Sequence, residues 1–287
     1  MKSIIDIQIG AECIKCRKCE RVCPAGIITY NEKNKSMDIS RAERCIVCGQ
    51  CAAACPVGTL KHSSFPECSI KPFDKNDCPT AEQLMLLIKK RRSNRAFSTN
   101  EVADEDIDKI IEAAQYTPTA RNSRDIGFVV IKDSDKLLEL SEFTCSTFEK
   151  MTSRLENPFI KPVLSRIRPD FYKSVPVMKH VIKGFRKHNE GILRNATAAI
   201  LIYTKDNGMF SNADANLAYQ NASLMAESLG VNHFYTGYLC AALRLNKGTL
   251  EKKLGIEGTI QAGMAIGMPL FSFTNYIDRG KAAVKHL

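Results

Sequence analysis

Hydrophobic residues recur with helical spacing over most of the chain after residue 79. The pattern predicts helices from Thr80 to about Arg92 and over 104–116, 134–156, 174–188, 214–229 and 239–254. Thr80 and Gln83 have the spacing of a capping box, which predicts a sharp start for the first helix. Shorter apolar runs at 127–132, 198–203 and 260–266 predict buried strands. Helices around a few buried strands predict an α+β domain.

The first 62 residues follow a different pattern. Isoleucines at positions 4, 5, 7 and 9 come close to strand alternation, and short β-prone segments occupy 26–30 and 58–62. These two segments belong to an internal repeat with a period of about 32 residues. Residues 63–79 contain three prolines and mixed charges, which is typical of a linker. The sequence therefore predicts domains at 1–62 and 80–287, joined by a linker at 63–79.

Each copy of the repeat contains four cysteines with the same spacing. The runs are Cys13-x2-Cys16-x2-Cys19-x3-Cys23-Pro24 and Cys45-x2-Cys48-x2-Cys51-x3-Cys55-Pro56. This is the spacing of bacterial ferredoxins, in which the fourth cysteine of each run ligates the other cluster. Zinc and disulfides are the rival interpretations, but zinc sites often use two separated pairs, and disulfides would require a secreted chain.

Residues 1–62 thus resemble the two-[4Fe–4S] ferredoxin family, a small fold built largely around its metal. We expect one cluster to be held by Cys13, Cys16, Cys19 and Cys55, and the second by Cys45, Cys48, Cys51 and Cys23.

Composition and charge indicate the cellular compartment and the classes of partner that we expect. The hydrophobic fraction is 44%, and no apolar run approaches the length of a membrane span or an export signal. Cluster thiolates require a reducing environment, so we expect a cytoplasmic protein without a membrane partner. The formal charge of +10 is spread widely and is offset by cluster thiolates, so no nucleic-acid partner is expected. The run from Lys89 to Arg92 is the exception to that spread.

Three short segments of the second domain are informative because of the order in which they occur. They are Arg91-Arg92-Ser93-Asn94-Arg95-Ala96-Phe97, then Pro118-Thr119-Ala120-Arg121-Asn122-Ser123, and finally Gly267-Met268-Pro269 followed by Arg279. Taken singly, they fit a solvated helix end, a turn and a strand exit. Taken in order, they make residues 80–287 similar to the FMN-dependent nitroreductase family.

That resemblance implies an FMN site at a homodimer interface. Arg91 and Arg279 would hold the phosphate, since guanidinium groups bind phosphate oxygens bidentately. Arg92 and Ser93 would contact the phosphate or the ribityl chain, and Arg95 would lie near the N1–O2 edge of the ring. The backbone at Thr236-Gly237 would approach flavin N5, where a glycine permits close contact. The FMN held mainly by the partner subunit would be contacted by Pro118, Thr119, Ala120 and Asn122.

Other features depart from that family or stay open. The chain has no tryptophan and has Arg124-Asp125-Ile126 where the family often has Gln-Pro-Trp, which leaves the pocket entrance and the substrate class undefined. The five histidines show no ligand or triad spacing, and His233 is interpreted as structural. Cys68 and Cys78 are interpreted as free thiols of the linker, with a metal site or a redox pair as the alternatives.

The expected function is that of an oxidoreductase whose chemistry is carried by FMN, without a catalytic side chain. Electrons would pass from the ferredoxin domain to FMN and on to an electron-poor organic acceptor, such as a nitroaromatic, a quinone or an activated alkene. A redox protein such as ferredoxin would be the donor. Two alternatives stay open: NAD(P)H reduces FMN with the clusters as outlet, or the chain is an electron-transfer adaptor without a dedicated substrate.

Overall fold

The computed structural model describes residues 5–287, and the chain divides into two compact units. Unit 1 covers the chain up to Pro79 together with Arg121–Ser123, and unit 2 covers Thr80–Ala120 and Arg124–Leu287. The predicted linker at 63–79 falls within unit 1, where it forms 3-10 turns at Glu67–Ser69 and Lys75–Asp77. The isoleucine at position 4, part of the first predicted strand, lies outside the described residues.

Unit 1 consists of two small two-stranded sheets and two short helices. Its elements are β1 (Ile7–Ile9), α1 (Lys18–Val22), β2 (Ile28–Asn31), β3 (Ser36–Ile39), α2 (Gln50–Ala53) and β4 (Leu60–His62). β1 pairs with β4 and β2 pairs with β3, both antiparallel. Among the described residues, the buried core of this unit consists of six side chains, Ile7, Ile27, Ile28, Cys51, Ala52 and Leu60. So small a core leaves much of the folding free energy to a bound metal group.

The internal repeat is present in the backbone of unit 1. Left-handed φ angles recur 32 positions apart, at Lys15 and Val47 (55° and 53°) and at Gly26 and Gly58 (60° and 63°). Arg17 has a φ of 61°, and the equivalent Gly49 has a φ of 73°. Non-glycine residues seldom adopt this conformation, so its recurrence beside the cysteines marks two equivalent loops.

Unit 2 is built from helices around one sheet. Its helices are α3 (Ala81–Lys90), α4 (Asp104–Gln115), α5 (Ser134–Leu155), α6 (Lys161–Ile167), α7 (Pro169–Arg186), α8 (Ser211–Leu229), α9 (Gly237–Leu245) and α10 (Thr249–Lys253). Its strands are β5 (Ile126–Ile131), β6 (Ala198–Thr204), β7 (Asn232–Tyr235) and β8 (Thr259–Gly267). The sheet has the order β5-β6-β8-β7, and every pair is antiparallel.

The sheet separates two hydrophobic cores. Alternate residues of a strand point to opposite faces, so Ala199 and Leu201 of β6 join the core formed with α5, α7 and α9. Ile200 and Ile202 join the other core, formed with α4 and α8. This three-layer arrangement is the predicted α+β class, and it explains why the apolar runs read as continuous rather than alternating.

The structure corrects one predicted element and adds strands that were not predicted. The single helix expected over 239–254 is wrong, because the chain leaves the helix after Leu245 and starts α10 only after Gly248, which has a φ of 77°. Strands β3 and β7 were not predicted. Each has only four residues, and β7 is an edge strand whose pairing with β8 joins positions far apart in sequence.

The predicted capping box at the start of α3 is confirmed. Thr80 Oγ1 accepts a hydrogen bond from the Gln83 N–H, and the Gln83 side chain accepts one from the Thr80 N–H. None of the residues of α3 is buried, and its apolar side chains Leu84, Met85, Leu86 and Ile88 are 43–54% exposed. No helix within residues 5–287 combines the length and the apolar character that a membrane crossing needs.

Candidate functional site

The eight cysteines of the two runs lie around two separate cavities in unit 1. One cavity is lined by Cys13, Cys16, Cys19 and Cys55. The other is lined by Cys23, Cys45, Cys48 and Cys51. Each cavity thus combines the first three cysteines of one run with the fourth of the other run. The prolines after the runs, Pro24 and Pro56, line the cavities too.

The donor set of these cavities suits a cluster of iron and sulfide. Within residues 5–287, no three His, Cys, Asp or Glu side chains are close enough together to hold a single metal ion. All eight residues are free thiols, and soft thiolates are the ligands that iron–sulfur clusters prefer. Backbone N–H groups also point at the sulfurs, as that of Val47 does at 3.3 Å from Cys45 Sγ.

Burial and backbone dipoles act in opposite directions on these thiols. Burial raises the pKa of Cys19, and it raises that of Cys51 to about 11. Burial also opposes ionisation of Cys55, but hydrogen bonds from backbone N–H groups outweigh it and lower the pKa of Cys55. Those N–H groups belong to residues 57–60, directly after the Cys-Pro step. A bound cation would deprotonate the buried thiols, so loading of this site releases protons.

Asn122, predicted to contact FMN, is engaged in unit 1. Its side-chain amide donates hydrogen bonds to the carbonyls of Ile46 and Val47, at 3.1 and 2.7 Å. Ile46 and Val47 lie between two cysteines of the second run, so Asn122 fixes the loop that carries them. Its predicted FMN contact stays a prediction that would have to use the remaining carbonyl oxygen.

The predicted phosphate segment at 91–97 lies against the edge strand β7. The Asn232 side chain donates to the Ala96 carbonyl at 3.0 Å, and the Phe97 ring stacks on the Phe234 ring at 6.0 Å. The Arg95 guanidinium lies 5.3 Å from the centre of the same Phe234 ring. Residues on both sides of Phe97 also pair with the chain after β8. This packing holds the segment next to β7.

The C-terminal segment has no regular secondary structure beyond residue 270. Arg92 contacts this segment, and Arg279 belongs to it. Arg92 Nη2 donates to the Asn275 carbonyl at 2.6 Å, and its guanidinium lies 4.0 Å from the centre of the Phe273 ring. A cavity of about 300 Å³ is lined by Arg92, Asn94, Phe273 and Asn275. Arg279 is exposed further along this segment, and Ser93 is exposed beside Arg92.

Thr236 and Gly237 follow β7 directly. Thr236 is 1% exposed, and its N–H donates to the Gly263 carbonyl at 3.0 Å. Gly237 is exposed and is the first residue of α9, so its N–H is one of the unpaired donors at a helix start. A Cβ at Gly237 would meet only the Tyr235 ring, at 3.9 Å. The face above Gly237 is therefore open to a ligand.

Two buried polar atoms near this segment have no partner in the described part of the chain. They are Tyr219 Oη on α8 and His233 Nε2 on β7. Burial raises the pKa of Tyr219 to about 12 and lowers that of His233 to about 4, and the positive charge of Arg91 lowers both to a lesser extent. Buried polar groups are normally satisfied, so these two atoms fit a site that receives a polar ligand beside Arg91.

The segment Pro118–Ala120 lies elsewhere in unit 2. The Ala120 N–H donates to the Asp214 carboxylate near the start of α8, at 3.1–3.2 Å. Lys90, just before Arg91, binds Glu227 near the end of α8. Asp214 and Glu227 are about 20 Å apart along the helix axis. One chain therefore places the two predicted FMN-binding segments at opposite ends of α8.

Sequence reasoning missed three residues of this region, Tyr219, Asn232 and Phe234. Only the pairing of β7 with β8 brings Asn232 and Phe234 to the 91–97 segment, and nothing in the local sequence signals that pairing. His62 was also assigned no role, yet it lines the second cysteine cavity.

Comparisons with known proteins match both parts of the chain. A family of 4Fe-4S dicluster domains matches residues 12–59. A curated protein of Archaeoglobus fulgidus, provisionally named as an NADH dehydrogenase/NAD(P)H nitroreductase, is 39% identical over 61 residues. That match covers 21% of this chain and 35% of the relative, so the similarity spans about a third of that protein's length.

Solved structures resemble the larger unit. An FMN-dependent nitroreductase of Clostridium difficile R20291 superimposes with a TM-score of 0.52 at 17% identity, covering 72% of this chain and all of that one. A nitroreductase of Bacteroides fragilis, solved with bound FMN, gives a TM-score of 0.51 at 18% identity, covering 71% of this chain and 99% of that one. The nitroreductase family model matches residues 88–268, more than half of the sequence. The chain belongs to the nitroreductase family and carries a 4Fe-4S dicluster domain at its N-terminal end.

Proposed function

We propose that this protein is an iron–sulfur flavoprotein oxidoreductase. It passes electrons from two [4Fe–4S] clusters in unit 1 to FMN bound by unit 2, and on to an electron-poor organic acceptor. The acceptor classes are nitroaromatics, quinones and activated alkenes. The observation that carries the proposal is the presence of two four-cysteine cavities on the same chain as a nitroreductase fold. Because its thiols must stay reduced, we place the protein in the cytoplasm.

The cysteine cavities support two clusters rather than one. Each contains four thiols drawn from both runs, which is the ligand arrangement of two-cluster ferredoxins. Cys13, Cys16, Cys19 and Cys55 would hold the first cluster, and Cys23, Cys45, Cys48 and Cys51 the second. When bound, clusters exchange single electrons and FMN exchanges one or two, which lets a one-electron donor serve a two-electron acceptor.

The protein's part in FMN chemistry is to bind, orient and polarise. Arg91 and Arg279 would supply positive charge for the phosphate, and Arg92 and Ser93 would contact the phosphate or the ribityl chain. Arg95, held over the Phe234 side chain, would supply a cation for one edge of the flavin ring. The exposed N–H of Gly237 supplies a hydrogen-bond donor for the ring nitrogen.

A homodimer would complete this site. The predicted segments at 91–95 and 118–122 are separated by α8 within one chain, so one FMN can touch both only if the second comes from another copy. The exposed apolar face of α3 offers surface for that copy. Large exposed apolar patches of this kind mark interaction sites.

The electron donor defines the main alternative. The name of the Archaeoglobus fulgidus relative refers to NADH and NAD(P)H, which favours a nicotinamide as the direct reductant of FMN. In that case the clusters would carry electrons away from FMN. The two directions predict different behaviour of a protein that lacks one cluster.

The proposal is tested on protein purified without oxygen. We expect about eight iron atoms and one FMN per chain, as two [4Fe–4S] clusters and one flavin require. Reduced ferredoxin should then support reduction of a nitroaromatic. Cys48→Ser, which removes one ligand of the second cluster, should abolish that activity while dithionite still reduces the bound FMN. Cys68→Ser is the matched control, since Cys68 is an exposed thiol outside both cavities.

Two results would contradict the proposal. A protein with four or fewer iron atoms per chain after anaerobic reconstitution would remove the two-cluster assignment. Equal ferredoxin-driven activity in Cys48→Ser and the unmodified protein would show that electrons do not enter through the clusters.

A further inference from the structure

His62 is a buried polar residue at the second cysteine cavity. It is the last residue of β4 and is 4% exposed. Its ring lines the same cavity as Cys23, Cys45, Cys48 and Cys51. Its Nε2 atom lies 3.5 Å from Cys45 Sγ, within hydrogen-bond distance of a sulfur. The imidazole therefore contacts a sulfur assigned as a cluster ligand.

The surroundings of the ring decide which of its nitrogens carries the proton. The backbone N–H of Ser64 donates a hydrogen bond to His62 Nδ1 at 3.1 Å. Nδ1 is therefore the acceptor nitrogen, and the proton of the neutral ring lies on Nε2. Nε2–H then points at Cys45 Sγ as a donor. The Phe65 ring packs 4.9 Å from the imidazole, and the Phe65 N–H donates to the His62 carbonyl at 2.8 Å, which fixes the ring in place.

The internal repeat supplies a comparison within the same molecule. The position equivalent to His62 is Tyr30, at the same distance from Cys13 as His62 is from Cys45. The Tyr30 ring lies under the Arg17 guanidinium at 4.9 Å. The backbone N–H of Tyr30 donates a hydrogen bond to the Glu20 carboxylate. Within residues 5–287, Tyr30 makes no hydrogen bond to Cys13. In the part of the chain that the structure describes, only one of the two equivalent sites thus has a side-chain donor aimed at a cysteine sulfur.

We propose that His62 sets the reduction potential of the cluster held by Cys45, Cys48, Cys51 and Cys23. This inference rests on the proposed function, because it needs a cluster in that cavity. A cluster gains one electron on reduction, so its sulfurs become more negative and accept hydrogen bonds more strongly. The Nε2–H donor therefore stabilises the reduced state more than the oxidised state and raises the potential. No bond forms or breaks, and the proton stays on Nε2.

The test is a redox titration of the holo-protein followed by EPR of the reduced clusters. His62→Phe keeps a buried ring and removes the donor, and we expect the potential of one cluster to fall. A tenfold decrease in the equilibrium constant for reduction corresponds to a fall of 59 mV in the potential of a one-electron couple. His62→Gln places an amide N–H near the position of Nε2 and should restore most of the shift. Tyr30→Phe is the matched control at the other site and should leave both potentials unchanged.

Pulsed EPR of the wild-type protein supplies a second readout that does not depend on a variant folding. With histidines labelled with ¹⁵N, the reduced cluster should show coupling to a histidine nitrogen. Absence of that coupling overturns the tuning role, as do unmoved potentials in His62→Phe or equal shifts in His62→Phe and His62→Gln. A wild-type protein without any four-iron cluster signal overturns the proposed function and the tuning role together. A protein that shows both cluster signals but none of the histidine effects overturns the tuning role alone.

Discussion

Arg95 carries the most specific expectation for the flavin site. Its guanidinium lies over the Phe234 ring and forms no ion pair within residues 5–287, so its charge is available to a ligand. Arg95→Ala should weaken FMN binding about tenfold and lower the flavin potential, because a cation near the ring stabilises the reduced, negatively charged flavin. The measurements are FMN release by fluorescence and a redox titration of the bound flavin.

Arg154→Ala is the charge-matched control for Arg95, since Arg154 is exposed near the end of α5 and away from the 91–97 segment. It should retain FMN with an unchanged potential. Wild-type affinity and potential in Arg95→Ala would remove Arg95 from the site.

The sequence predicts the position of some site residues but not of others. Offsets of three residues restrict where the first three sulfurs of each run can point, and the resemblance to two-cluster ferredoxins assigns the fourth cysteine to the other run. The positions of His62 and Tyr219 could not be predicted. Each depends on contacts with residues distant in the sequence, Cys45 for His62 and the neighbourhood of Arg91 for Tyr219.

An ion-pair network joins helices α5 and α7 at the element scale. The Arg186 guanidinium of α7 binds the carboxylates of both Glu142 and Glu149 of α5, with N–O distances of 2.9–3.0 Å. The three side chains are 38–46% exposed, so solvent screens the interaction. Arg186→Met should therefore reduce the stability of this helix pair by only about 1 kcal/mol.

Hydrogen exchange of the α7 amides measures that loss, with Lys183→Met as the control in the same helix. The hydrogen bonds from Arg186 hold the pKa of Glu149 below its usual value. The stabilisation is thus fully present above the ordinary pKa of a glutamate and is lost as the pH falls through the lowered value. The variant and the wild type should converge in acid. A difference that persists in acid would indicate lost packing instead of lost charge.

Strong local signals made some elements predictable. The capping box fixed the start of α3, and the apolar periodicity gave α4, α5 and α8 within a few residues. Strand β7 and the break between α9 and α10 were not predicted. The strand depends on pairing with β8, and the chain leaves the helix after Leu245 although the apolar spacing continues beyond it.

The unequal cores of the two units lead to a prediction for the whole molecule. The described part of unit 1 has six buried core side chains, whereas unit 2 has two large cores, one on each side of its sheet. Removal of iron with a chelator should unfold most of residues 5–79, because metal binding supplies much of the folding free energy of so small a domain. Unit 2 should stay folded and keep its FMN.

Limited proteolysis and hydrogen exchange before and after chelation check this prediction. The expected result is rapid cleavage confined to the N-terminal part, with the amides of β6 and β8 still protected. Loss of protection throughout unit 2 would mean that its fold also depends on the metal.

The direction of electron flow is the central claim, and anaerobic stopped-flow spectroscopy tests it most directly. The holo-protein would be mixed separately with reduced ferredoxin, NADH and NADPH, and the iron–sulfur and flavin absorption bands would be resolved in time. We predict that reduced ferredoxin bleaches the clusters before FMN, while the nicotinamides cause no change. Rapid reduction of FMN by a nicotinamide, followed by bleaching of the clusters, would contradict the account and reverse the direction of flow.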